Sequence, residues 1–271
     1  VVISILQMID QSELDGVSGK DPKLKASVKL CNIIIRYFSS LEMKRLFLCI
    51  MFLFLTLLLT SFALELSDYY RLPEPLLPDL VHDNIIYIPA EELINFFISV
   101  HVVYIVIRIL LHPNRFVILR QSLMVYSLTM LLRTGLLLSF SIPEGNPACR
   151  YNRRKLDFRA IKLIRKLFGG RTCGDLIYSG HTIGLFLPAL VQGHYFGGAF
   201  TYIISFSASI QSFLVIASKL HYGIDVALAI IALSLIFWTY INVAEKQETF
   251  KNICKPFSWY FKLMEWNVEN K

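Results

Sequence analysis

Two short segments hold residues whose types and spacing suit phosphoryl chemistry. Thr172–Thr182 reads TCGDLIYSGHT, and Leu220–Val226 reads LHYGIDV. In the second, His221 and Asp225 stand four residues apart, which on a helix puts them on one face. A carboxylate beside an imidazole fixes its tautomer and stabilises its cation. The other ring nitrogen is then open to act as nucleophile or base. In the first segment, Ser179 and Gly180 precede His181 at an expected helix start. Small residues there let backbone N–H groups approach an anion, and the helix dipole favours negative charge. A nucleophile, an acid and donors around the phosphoryl oxygens are the parts that phosphate transfer needs. Each piece alone has a plainer reading. A histidine at a span end is usually an interfacial polar residue, and His82, His101, His112 and His194 read that way. An HxxxD pair alone suits a metal site or a helix surface, and an SGH alone suits a turn. It is their coincidence at one membrane face that points to chemistry.

The elements that must position these residues are apolar. The chain has 271 residues, 55% of them hydrophobic and 17% charged, with a mean hydropathy of +0.54. Soluble domains average about 25% charged residues, so the excess apolar mass calls for a bilayer. A span needs about 20 apolar residues. Six segments qualify: Leu46–Leu64, Leu93–Leu111, Phe116–Phe140, Leu176–Val191, Ala199–Ser218 and Ile224–Val243, the fourth being short. The expected fold is an all-α bundle of six transmembrane helices. Residues 1–45 form an N-terminal tail, 46–243 the membrane domain and 244–271 a C-terminal tail. Residue 1 is Val, which points to a fragment or a processed form, with room for a further N-terminal domain ahead of it. His181 would open the fourth span, and His221 and Asp225 the sixth, on one face of the membrane.

Six spans place both termini on one side. Lys and Arg near span ends number eleven on each side, so the positive-inside rule is tied. The first span breaks the tie: its N-terminal flank is basic, while Glu65–Glu92 is acidic apart from Arg71. The tails are therefore expected in the cytosol and the histidines on the opposite, lumenal or exterior face. Arg153–Phe168, RRKLDFRAIKLIRKLF, repeats apolar residues at helical spacing (Leu156, Ala160, Leu163, Ile164, Leu167) with Arg and Lys opposite. That pattern predicts an interfacial amphipathic helix, which gathers headgroups near the loop or merely anchors it. The net charge of +7 is largely juxtamembrane, so anionic lipid and not nucleic acid is the expected partner. The five cysteines form no CxxC pair, which argues against a zinc or redox motif. Cys149 and Cys173 share one loop and either pair in an oxidising lumen or stay free.

SGHT followed by HYxxD resembles the lipid phosphatase superfamily. The longer CGDLIYSGHT and LHYGIDV resemble its sphingomyelin synthase branch. Two further segments agree: Leu76–Asp79, LLPD, where that family has Pro-Leu-Pro-Asp, and Leu132–Cys149, with Arg133, Pro143 and Cys149. The resemblance covers residues ~45 to ~245 and departs at two points. Lys219 stands where the family often has a second histidine, and Leu76-Leu77 where Pro-Leu is usual. It implies transfer of phosphocholine from phosphatidylcholine to ceramide, in the Golgi or plasma membrane, with diacylglycerol released and no metal or cofactor. By that resemblance His221 attacks phosphorus, Asp225 orients it, and His181 is the acid and then the base. Asp175 either assists His181 or caps a loop. Arg133, inside the third span, suits a headgroup donor or a permeation pathway. Three alternatives stand beside this reading. Ceramide phosphoethanolamine synthesis shares every motif. A lipid phosphate phosphatase needs an Arg-Pro element, an Arg at position 215 and a Pro at 178; the chain has no Arg-Pro, and holds Val215 and Tyr178. A transporter or scaffold fits Arg133 in the third span, as a headgroup donor does equally.

Overall fold

The structure is a computed structural model that describes residues 41–70, 77–140, 142–143 and 176–245. Asp175, the amphipathic segment 153–168, Cys149 and Cys173 lie outside the described residues. The chain divides into two compact units, Val1–Phe47 and Leu48–Lys271. The second holds the described parts of both motifs.

Every regular element among the described residues is helical: α1 Leu41–Tyr70, α2 Leu80–Asn84, α3 Glu91–Leu110, α4 Arg115–Ser139, α5 Gly180–Val191, α6 Ala199–Ala217 and α7 Gly223–Glu245. Five of these, α1, α3, α4, α6 and α7, are long and apolar enough to cross a membrane. Their outer faces expose large apolar side chains, among them Leu48, Phe54 and Leu55 on α1 and Phe200, Ile203 and Phe206 on α6. In water such faces would be a liability, and in lipid they are the solvent-facing surface.

The fourth expected span differs. Its α-helix starts at Gly180 instead of Leu176 and runs for 12 residues. A π-helical turn of 5 residues, Gln192–Phe196, extends it. At 1.5 Å per residue the two together reach roughly 25 Å, short of a hydrocarbon core of about 30 Å. The six-span expectation therefore becomes five spans and a shorter sixth element among the described residues. The shortness is tolerable on physical grounds. α5 touches α3, α4, α6 and α7, so its backbone faces protein and not lipid. Irregular backbone at membrane depth is tolerated where protein covers it. Gln192 is fully buried; its side chain accepts from Tyr104 Oη at 3.1 Å and donates to the Gly197 carbonyl at 2.9 Å. Gly197 and Gly198 follow at φ +60° and +76°, which reverses the chain into α6.

The core lies where α4, α5 and α7 meet, around Val125, Met130, Ile183, Leu233 and Phe237. At Gly184 an added Cβ would meet Ile98 Cγ2 at 3.1 Å, so α3 and α5 are in close contact. Backbone and side-chain bonds then tie several helix ends into one face. Ile88 N donates to the Ala217 carbonyl at 3.0 Å, Ala90 N to Ser218 Oγ at 3.3 Å, and Ser179 N to the Asp225 carbonyl at 3.3 Å. Both histidine motifs open onto that face.

Candidate active site

His221 sits in the turn between α6 and α7. α6 ends in a paired C-terminal motif: Leu220 N donates to the Val215 carbonyl at 3.2 Å and Lys219 N to the Ile216 carbonyl at 2.9 Å. That motif needs a left-handed residue, usually Gly. Here it is Lys219, at φ +55°. α7 begins at Gly223, so His221 precedes the helix. The expected sharing of one helix face is therefore corrected: the turn, and not helical spacing, brings His221 to Asp225. Asp225 lies in the first turn of α7, where its Oδ2 accepts from Tyr222 N at 3.0 Å and its own N donates to the Tyr222 carbonyl at 3.2 Å. The Asp225 carboxylate thus supplies the N3 half of a capping box, while the other bond is a backbone turn.

His221 Nδ1 faces two acceptors, the Leu176 carbonyl at 3.4 Å and Asp225 Oδ2 at 3.6 Å. Both lie on the Nδ1 side, so Nδ1 carries the proton and Nε2 keeps its lone pair. The contacts are long, as acid–base pairs often are before substrate tightens them. The side chains of His221 and Asp225 are each only 2% exposed. The His181 ring stands 5.7 Å from the His221 ring, centroid to centroid, at 67°.

His181 is placed by the start of α5. Ser179 is the N-cap, its Oγ accepting from Thr182 N at 3.2 Å. Tyr178 before it is fully buried at φ +70°. A bulky residue there is strained, and the conformation turns its carbonyl onto Arg133, whose Nε donates to it at 2.9 Å. Arg133, buried on α4, continues to Gly180: an added Cβ there would meet Nη1 at 3.0 Å and Cζ at 3.1 Å. The missing side chain lets a guanidinium lie against the first residue of a helix. A fixed cation and a helix N-terminus together form an anion cradle beside two imidazoles. Ser179, Gly180, His181, His221, Asp225 and Arg133 thus come together. Among the described residues no group of three His, Cys, Asp or Glu is placed to hold a metal ion.

The profile of the PAP2 superfamily C-terminal family matches residues 172–242, which span both histidine motifs. "Sphingomyelin synthase-related 1" of Caenorhabditis elegans is 29% identical over 228 residues, 75% of this chain and 45% of the relative. "Phosphatidylcholine:ceramide cholinephosphotransferase 1" of the same organism is 29% identical over 200 residues, 65% of this chain and 41% of the relative. The chain is thus similar to sphingomyelin synthase-related proteins and ceramide phosphotransferases, and its C-terminal part matches the PAP2 superfamily. A match over a shorter stretch is the "Phosphatidylethanolamine:ceramide ethanolaminephosphotransferase" of Trypanosoma brucei brucei, 30% identical over 112 residues, 39% of this chain and 34% of the relative. The chain spans less than half the length of each of these three relatives.

Sequence reasoning assigned no role to three groups that pack around this candidate site. The Leu176 carbonyl, a backbone atom, holds His221. Tyr222 Oη donates to the Pro143 carbonyl at 2.9 Å, and its ring lies 4.7 Å from that of His82. Asp79, noted only as part of LLPD, accepts from Gly223 N at 2.7 Å. The Pro-Asp pair was the available signal, since Asp after Pro at a loop end is a natural N-cap.

Proposed function

We propose that the protein is a ceramide cholinephosphotransferase that moves phosphocholine from phosphatidylcholine to the primary hydroxyl of ceramide and releases diacylglycerol. The observation that carries this reading is the pair of imidazoles 5.7 Å apart, one with Nδ1 turned to Leu176 and Asp225. In the first half, His221 Nε2 attacks phosphorus, the bond to the diacylglycerol oxygen breaks, and His181 gives that oxygen its proton. In the second half, His181 takes the proton of the ceramide hydroxyl, whose oxygen attacks phosphorus and releases His221. Arg133 and the first turn of α5 face the phosphoryl oxygens, where charge develops. A desolvated cation of this kind stabilises both transition states without entering the covalent chemistry.

The choline-specific name of one relative supports the headgroup, and the ethanolamine-specific name of another supports a second reading, phosphoethanolamine transfer by the same steps. Purified protein with fluorescent ceramide and either phosphatidylcholine or phosphatidylethanolamine separates them. Fluorescent sphingomyelin from the first donor alone is the expected result. Product from the ethanolamine donor alone reassigns the headgroup. Release of phosphocholine or phosphoethanolamine with no ceramide product turns the reading to hydrolysis of the donor, with water as the acceptor. The active face is proposed to be lumenal or exterior, in the Golgi or plasma membrane, with the termini cytosolic.

A further inference from the structure

We infer that Asp79 is a positioning residue, and that residues 77–90 form a clasp fixing the turn that carries His221. The clasp is built from independent contacts. Asp79 Oδ1 accepts from Val81 N at 2.9 Å and His82 N at 2.8 Å, which caps α2. Its second oxygen is then left for Gly223 N, the first amide of α7. One carboxylate thus caps two helices at once. Gly223 is fitted to this: an added Cβ would meet Asp79 Oδ2 at 3.2 Å and Oδ1 at 3.3 Å. Lys219 Nζ donates to the His82 carbonyl. The His82 ring lies against Tyr222, with its Nδ1 toward Asp83 Oδ1 at 3.1 Å. Ala90 N and Ile88 N complete the attachment at Ser218 and Ala217.

Residues 217, 218, 219, 222 and 223 are all gripped, and His221 lies among them. The clasp makes none of the contacts to His221 itself, so its effect is exerted through the backbone on either side. Lys219 in the left-handed conformation belongs to the same device, because its side chain reaches His82 from the turn's tightest point. A displacement of about 1 Å at a reacting atom can cost about 100-fold in rate. The catalytic half of this inference rests on the transfer reading above, and the structural half does not.

The test is Asp79→Asn, made in the full chain. Asparagine keeps one oxygen to cap α2 but presents an NH2 group to the Gly223 amide, donor against donor. Hydrogen–deuterium exchange is expected to rise in the peptide covering 218–226, with α4 and α6 unchanged. In the transfer assay kcat is expected to fall about 10- to 100-fold with KM for the donor lipid within about twofold. Asp79→Glu, which retains the carboxylate, is expected to recover part of kcat. Unchanged exchange at 218–226 overturns the clasp, whether or not the protein transfers headgroups. Raised exchange with unaltered kcat overturns the positioning role. Inactive wild-type protein sinks the transfer reading alone, since exchange still reports on the clasp.

Discussion

A nucleophilic imidazole needs one nitrogen held and the other open, and His221 Nδ1 faces a backbone carbonyl as well as Asp225. Under the proposed mechanism His221→Ala abolishes ceramide product in a normally folded preparation. Asp225→Asn is milder, because the Leu176 carbonyl still fixes the tautomer. A loss of about 10- to 100-fold is expected, well below the ~10⁴ seen where a carboxylate is the sole partner. Equal loss in the two variants, by fluorescent-ceramide assay, would give Asp225 a more direct role. Gly180→Ala probes the cradle. Its new methyl meets the Arg133 guanidinium at 3.0 Å, and the far end of that side chain can yield. Expression and melting should therefore persist while kcat falls; a wild-type rate would show that Arg133 need not lie on α5.

At the scale of elements, short motifs decide where helices start and stop. Gly197 and Gly198 pair positive φ with ψ near −157° and −179°, a region open essentially to Gly alone. Alanine at either position costs about 1–3 kcal/mol. The expected result is a melting temperature lowered by several degrees with kcat little changed, since this reversal lies at the end of α5 away from the histidines. The double cap at Asp79 adds a pH dependence. Burial raises its carboxyl, but the amides of His82, Gly223 and Val81 outweigh that and hold it below the ordinary 3.8. A lowered folded value means that its contribution is full above 3.8 and is lost as pH falls through the lower value. Acid unfolding followed by tryptophan fluorescence should show less pH dependence below 4 in Asp79→Asn than in the wild type.

At the scale of the whole molecule, the bundle places the start of α3, the end of α4, the start of α5, the end of α6 and the start of α7 on one face. The α3–α4 connection around Asn114 falls at the opposite end. Single cysteines at Tyr87 and Asn114, both exposed, test which side is which. With the native cysteines replaced by serine, in sealed vesicles of known sidedness, the Tyr87 site should label from the lumenal side and the Asn114 site from the cytosolic side. The reverse pattern would move the chemistry to the cytosol.

The apolar segments, the polar breaks between them and the HYxxD and SGHT motifs were legible in the sequence because each is local. Twenty apolar residues span a bilayer whatever surrounds them, and the four long spans after α1 matched their helices to within two residues at each end. Other features depended on long-range contacts. Tyr178 and Lys219 adopt positive φ although neither is Gly, and only the buried Arg133 bond and the α6 end motif make those conformations tenable. α5 can stop short of the full bilayer because four other helices cover it. His221 meets Asp225 through a turn, and a carboxylate 144 residues away along the chain anchors that turn. Periodicity gives no account of such a contact, since it exists only once the bundle has brought two distant loops together.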